Sequence, residues 1–99
     1  MATFFVSRHP GARQWAQRRN LAVSHWVSHL DIAQIQRGDT VIGTLPVNLA
    51  AAVCVRGARY VHLSLTLPAE ARGRELNADE LNQYGAELNG FTILQEDPP

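Results

Sequence analysis

Four residue types with a use in phosphate chemistry fall within five positions in the segment "SRHPG": Ser7, Arg8, His9 and Gly11. The segment follows an apolar run and precedes a helical pattern. A helix start offers free backbone N–H groups and the positive end of a dipole, both suited to an anion. Arg8 adds a planar, permanently charged fork that grips phosphate oxygens in pairs. His9 exchanges a proton near neutral pH, so it is the candidate general base or acid, with Ser7 and Arg8 beside it. The alternative is a tight turn capped by Ser7 with two exposed side chains. A second such point is "GTLPVN", residues 43–48. Gly43 permits close approach of a ligand to the backbone, and Thr44 can cap or hydrogen-bond. Leu45 and Pro46 open the following helix. Asn48, near its open end, can bond a phosphate oxygen, a ribose or a base edge, or merely tie down the neighbouring loop. A third point is the connection carrying Arg72 and Arg74 around Gly73, flanked by Glu70 and Glu75. It is flexible enough to fold over a ligand, or is a solvated charged loop.

Other chemistries are excluded. Neither glycine segment has the Lys of a P-loop or the spacing of a dinucleotide fingerprint. The first two connections contain no Asp or Glu, which argues against carboxylate-held magnesium and two-metal hydrolysis; no metal site is expected. His25 and His29 stand four apart, but no HExxH or cysteine partner supports a metal site, and both read as surface or satisfied histidines. His62 reads as structural. No Ser-His-Asp or Cys-His arrangement is present. One cysteine, Cys54, excludes an internal disulfide and reads as a small core residue. Nine arginines, with no lysine, balance nine acidic residues, so bulk charge does not call for a long nucleic acid. No apolar run reaches the ~20 residues of a membrane span. The expectation is a soluble cytoplasmic protein with no cofactor.

The 99 residues, 45% hydrophobic, suit one domain with a modest core. "TFFVS" (3–7) is a β-rich run, and "GARQWAQRR" (11–19) has helical spacing with Trp15 on its apolar face. "LAVSHWV" (21–27) alternates as a strand, at an edge, with a helix as the alternative, and "HLDIAQIQRG" (29–38) is a helical turn ended by Gly38. "DTVIGTL" (39–45) is the next strand. "PVNLAAAVCVR" (46–56) is a helix with Pro46 at its first position, apolar almost all round and therefore expected to be buried on more than one side. "ARYVHLSLTL" (58–67) is a strand with Tyr60, His62 and Ser64 on one face and Val61, Leu63 and Leu65 on the other. Asn77 and Glu80 form a capping box for a helix over 77–88, and "FTIL" (91–94) closes the chain as a last strand. Residues 95–99 form a loose tail. Strands alternating with helices predict a mostly parallel sheet of about five strands with helices on both faces. Ligands of such sheets bind beyond the strands' C-terminal ends, where strand order reverses. That rule selects connections 7–11, 43–48 and 66–76.

The segments "FFVSRHPGA", "GDTVIGTLPVNLAA", "GARYVHLSLTLP" and "RGREL" resemble, in order and spacing over about residues 3–85, a small stand-alone CRISPR-associated family that accompanies type III CRISPR systems. The resemblance is weakest over residues 12–28 and the tail. The family is similar to Rossmann-like domains that sense cyclic oligoadenylates, the second messengers of these systems. The resemblance implies a single Rossmann-like domain and a ring nuclease that cuts the messenger without metal, by attack of a ribose 2′-hydroxyl on the adjacent phosphate. A binding module that senses or sequesters the ring, and a structural accessory protein, are the alternatives. The near-symmetric ring implies a homodimer presenting each loop twice.

Overall fold

The computed structural model describes residues 1–98. Its strands are β1 (Thr3–Val6), β2 (His25–Val27), β3 (Thr40–Gly43), β4 (Arg59–Ser64) and β5 (Glu87–Phe91), and its α-helices are α1 (Pro10–Arg18), α2 (Val47–Val55) and α3 (Ala78–Gln83). Short 3₁₀ turns stand at Ile32–Gln34 and Ala69–Ala71. The sheet order is β2-β1-β3-β4-β5; the first four strands are parallel and β5 is antiparallel to β4.

Alternation along the strands splits the core in two. Phe5, Ile42, Val61 and Leu63 face α1 and α3, where Trp15 and Leu81 fill the layer. Phe4, Val6, Val41 and Tyr60 face the opposite way, where Ile35 and Val53 pack. Both faces are therefore covered, as the strand–helix alternation predicts: a mostly parallel, Rossmann-like α/β fold. Two polar contacts fix the α1–α3 layer. The Trp15 indole Nε1–H donates to Asn82 Oδ1 at 2.9 Å. The expected capping box is formed, with Glu80 N–H donating to Asn77 Oδ1 at 2.8 Å and Asn77 N–H to Glu80 Oε1 at 3.2 Å.

Four boundaries differ from expectation. The strand expected over 21–27 pairs only from His25, because Leu21 and Val23 turn inward to pack beside Trp15. Pro46 is the N-cap of α2 rather than its first residue. That helix also has one open side, with Val47 69% and Val55 77% exposed. The helix expected over 77–88 stops at Gln83. Gly85 takes φ +74°, Ala86 N–H donates back to Leu81 O, and the chain reverses into β5, so Leu88 lies opposite Leu63 in the sheet. "FTIL" accordingly ends a strand rather than forming one. Ile93 leaves the sheet to pack on the α2 side, its N–H 3.5 Å from Cys54 Sγ. Of the tail expected at 95–99, Gln95–Pro98 carry no regular element, and Pro99 lies outside the described residues. Among the described residues, no helix is long and apolar enough to cross a membrane.

At the N-terminal edge of the sheet, buried Asp39 clamps two segments. Its carboxylate accepts from Ala2 N–H and from Gln36 N–H, both at 2.9 Å. These bonds, the one from Ala2 foremost, hold its carboxyl below the ordinary Asp range. A depressed folded-state pKa stabilises the fold above the unfolded value, about pH 4, and that contribution is lost as pH falls through the folded value. Asp39→Asn is therefore expected to lower the urea midpoint at pH 7, and the gap to the unchanged chain should narrow below about pH 4. A gap that is constant with pH would show that the charge is immaterial.

Candidate active site

Strand order reverses between β1 and β3: the chain goes from β1 outward to β2, then returns to the other side of β1. Helix α1 leaves on one face and α2 on the other, which opens a crevice beyond the two C-terminal strand ends. A cavity of about 340 Å³ lies there, lined by Ser7, Arg8 and His9 on one side and Thr44, Leu45 and Pro46 on another. A second, more apolar cavity of about 220 Å³ shares Ser7, His9 and Thr44 with it and runs back to Leu63, Leu65 and Arg74. The first and second expected connections thus meet, and the third touches them through Arg74.

His9 is the N-cap of α1 and is exposed. Its Nδ1 lies 2.8 Å from Glu75 Oε1, across the gap to the third connection. A carboxylate only accepts, so Nδ1 carries the proton, and Nε2 is left to exchange one. The Ser7 hydroxyl accepts from His9 N–H at 3.1 Å and so shapes the turn. Arg8 lines the cavity and is exposed; among the described residues it has no ion-pair partner.

The loop 43–46 is held from below. Leu45 N–H donates to Tyr60 Oη at 3.0 Å, and Oη lies 3.2 Å from Gly43 O and 2.7 Å from His62 Nδ1. The phenol has one proton; with Gly43 O accepting it, His62 Nδ1–H is the remaining donor. Burial pushes the Tyr60 phenol above its ordinary value, which keeps it a neutral donor.

Some expected ligand residues lie elsewhere. Gly11 is buried against the backbone of Leu76 and Asn77, so it is a packing glycine between α1 and α3, not an open anion site. Gly43 does line the second cavity, but its missing side chain makes room for β1: a Cβ there would stand 2.7 Å from Val6 O. Asn48 is exposed on the second residue of α2, lines neither cavity, and neither binds nor braces "SRHPG" by any hydrogen bond among the described residues. Arg72 is exposed and also outside both cavities, and the Arg74 guanidinium is paired with Glu80 at 2.6 Å.

The structure also adds residues that the three connections omit. Ser28, His29 and Leu30, the loop after β2, form another wall of the larger cavity. Arg13 ties this loop to the first: Nη2 donates to Ser7 O at 2.8 Å and to Ser28 Oγ at 3.0 Å. The signal was available, because a strand ending at Val27 puts Ser28 and His29 at a C-terminal strand end like the others. The helical spacing of 29–38 masks it, and only Ile32–Gln34 form a helical turn.

Against known proteins, residues 4–94 match the family described as "Putative CRISPR-associated protein (Cas_VVA1548)". No curated protein and no solved structure matches the chain.

Proposed function

The chain belongs to the Cas_VVA1548 family of CRISPR-associated proteins, and from that premise we propose that it is a metal-independent ring nuclease acting in the cytoplasm on a cyclic oligoadenylate, cyclic tetra-adenylate first. The observation that carries this reading is the crevice at the β1/β3 reversal, which is lined both by an imidazole oriented by a carboxylate and by an arginine with no ion-pair partner among the described residues. In the proposed reaction a ribose 2′-hydroxyl attacks the adjacent phosphorus. The P–O2′ bond forms as the P–O5′ bond breaks, leaving a linear product with a 2′,3′-cyclic phosphate and a 5′-hydroxyl. The protein must align attack and departure and hold charge on the phosphoryl oxygens. Arg8 is suited to the charge and His9 to the proton.

About 340 Å³ is at the small end of the ~300–1,000 Å³ usual for ligand sites, which suits one nucleotide unit rather than a whole ring. Two copies about a twofold axis would present the crevice twice to a near-symmetric ring. Val47, Phe91 and Ile93 line an open apolar groove of the kind a second copy covers.

Incubating the pure protein with cyclic tetra-adenylate in EDTA tests the reading. The expected result is linear product ending in 2′,3′-cyclic phosphate. Tight binding with no cleavage would replace the nuclease with a sensor or sequestering module, and no binding to any cyclic oligoadenylate would remove both.

A further inference from the structure

We propose that His29 is a second catalytic residue of this site: the general acid that protonates the departing 5′-oxygen while His9 acts as the base. The inference rests on the ring-nuclease reading and deepens it. The register pairs Val6 with Val27, so the β1 and β2 loops leave the sheet side by side, and His9 and His29 lie three and two residues beyond that pair. Ser7 N–H donates to Val27 O at 2.9 Å, extending the ladder by one step. Arg13 then bridges Ser7 O and Ser28 Oγ, so the two loops are held as one unit. Both histidines line the same cavity, as does Arg8. His29 is exposed and makes no side-chain hydrogen bond among the described residues, so no structural partner accounts for its ring.

Transfer to a phosphate with a departing alkoxide needs two proton movements, one off the 2′-hydroxyl and one onto O5′. One histidine supplies one of them; this cavity has two. The roles follow from charge. A base becomes cationic in the transition state, and a carboxylate beside it stabilises that cation. His9 has that carboxylate in Glu75 at 2.8 Å. An acid gives up its positive charge, which a carboxylate partner would oppose, and His29 has none. The surrounding charges are Arg8, Arg13 and Glu75, with Arg74 at the second cavity. Asp31, two residues further along the chain, accepts Ala33 N–H at 3.1 Å as the cap of the 3₁₀ turn and lines neither cavity. The α2 wall, Leu45, Pro46 and Leu49, brings no titratable group.

The test uses two substrates in EDTA: cyclic tetra-adenylate, and its analogue with sulfur in place of the 5′-bridging oxygen at the cleaved linkages. A thiolate departs without being protonated, so loss of the acid should not matter for the analogue. His29→Ala and His29→Gln are expected to slow cleavage of the normal ring by ~10²-fold or more and to cleave the sulfur analogue at close to the unchanged chain's rate. His9→Ala is expected to stay slow on both. The His29 variants should unfold at the unchanged temperature, since the side chain is exposed. Full cleavage of the normal ring by both His29 variants would overturn the proposal, and so would an equal loss on both substrates. If the unchanged chain cleaves neither ring, the ring-nuclease reading itself falls, and this assignment falls with it.

Discussion

His9→Ala is expected to slow opening of cyclic tetra-adenylate by ~10²–10⁴-fold, the range for removal of a positioned proton-transfer group. Affinity for the ring should change little, because Arg8, the proposed source of binding charge, is left in place. The defect should therefore fall on kcat and kcat/KM together, the mark of an interaction made only in the transition state. The fold is not at stake. The ring is exposed, and its one hydrogen bond is to an exposed Glu75, so unfolding should move by no more than ~0.5 kcal/mol. Glu75→Gln is the companion variant. It keeps an acceptor oxygen for Nδ1–H but loses the charge that stabilises the imidazolium, so a smaller defect than that of His9→Ala is expected. An unchanged cleavage rate in His9→Ala would take His9 out of the chemistry and leave it as a cap. A loss of affinity equal to the loss of rate would make it a binding residue.

The parts of this site that were legible in the sequence are those fixed by local rules. A short apolar strand followed by "SRHPG" and then by helical spacing places Ser7–His9 at a strand end, whatever the rest of the chain does. The same holds for "IGTLP". The sheet's two covered faces were legible because strands alternate with helices along the chain, and the adjacent pairs Phe4/Phe5, Val41/Ile42 and Tyr60/Val61 give one buried residue to each face. Long-range pairing was not legible. "ELNGF" has an Asn and a Gly where strand formers are expected, and it becomes β5 because the free edge of β4 is there to receive it. "FTIL" has the better local propensity, but by Thr92 the strand has ended. The His9–Glu75 contact spans 66 positions and the Arg13 bridge joins a helix to two loops. No spacing rule reaches either. Asn48 attracted a role because it is a lone polar residue in an apolar run. The exposed side of α2 explains it as an ordinary solvated position.

Gly11→Ala should be the most destabilising of the single substitutions considered. The backbone conformation is no obstacle, since Gly11 is an ordinary helical residue with φ below zero. Space is the obstacle. A methyl group there would overlap the Leu76 carbonyl oxygen, with its carbon at 2.9 Å and Asn77 Cα at 3.1 Å. All three are backbone atoms, so no side chain can rotate away, and α1 must separate from the start of α3. That separation would pull on the layer holding Trp15, Ala78 and Leu81. Overpacking of this kind costs ~3 kcal/mol, the upper end of its usual range. For a domain of this size that lowers Tm by on the order of 10–20 °C. Gly73→Ala is the control. Gly73 sits at φ +80° with nothing within 4 Å, so a side chain there meets only conformational strain of ~1–2 kcal/mol. The folded fraction of Gly11→Ala should also be a poor catalyst, because Leu76 is bonded to Glu75 and its displacement carries the carboxylate away from His9. Thermal unfolding of both variants decides the matter: Gly11→Ala should melt below Gly73→Ala. Equal melting temperatures would mean that the α1–α3 contact yields without cost, and His9 and Glu75 would then owe their 2.8 Å separation to something other than this packing.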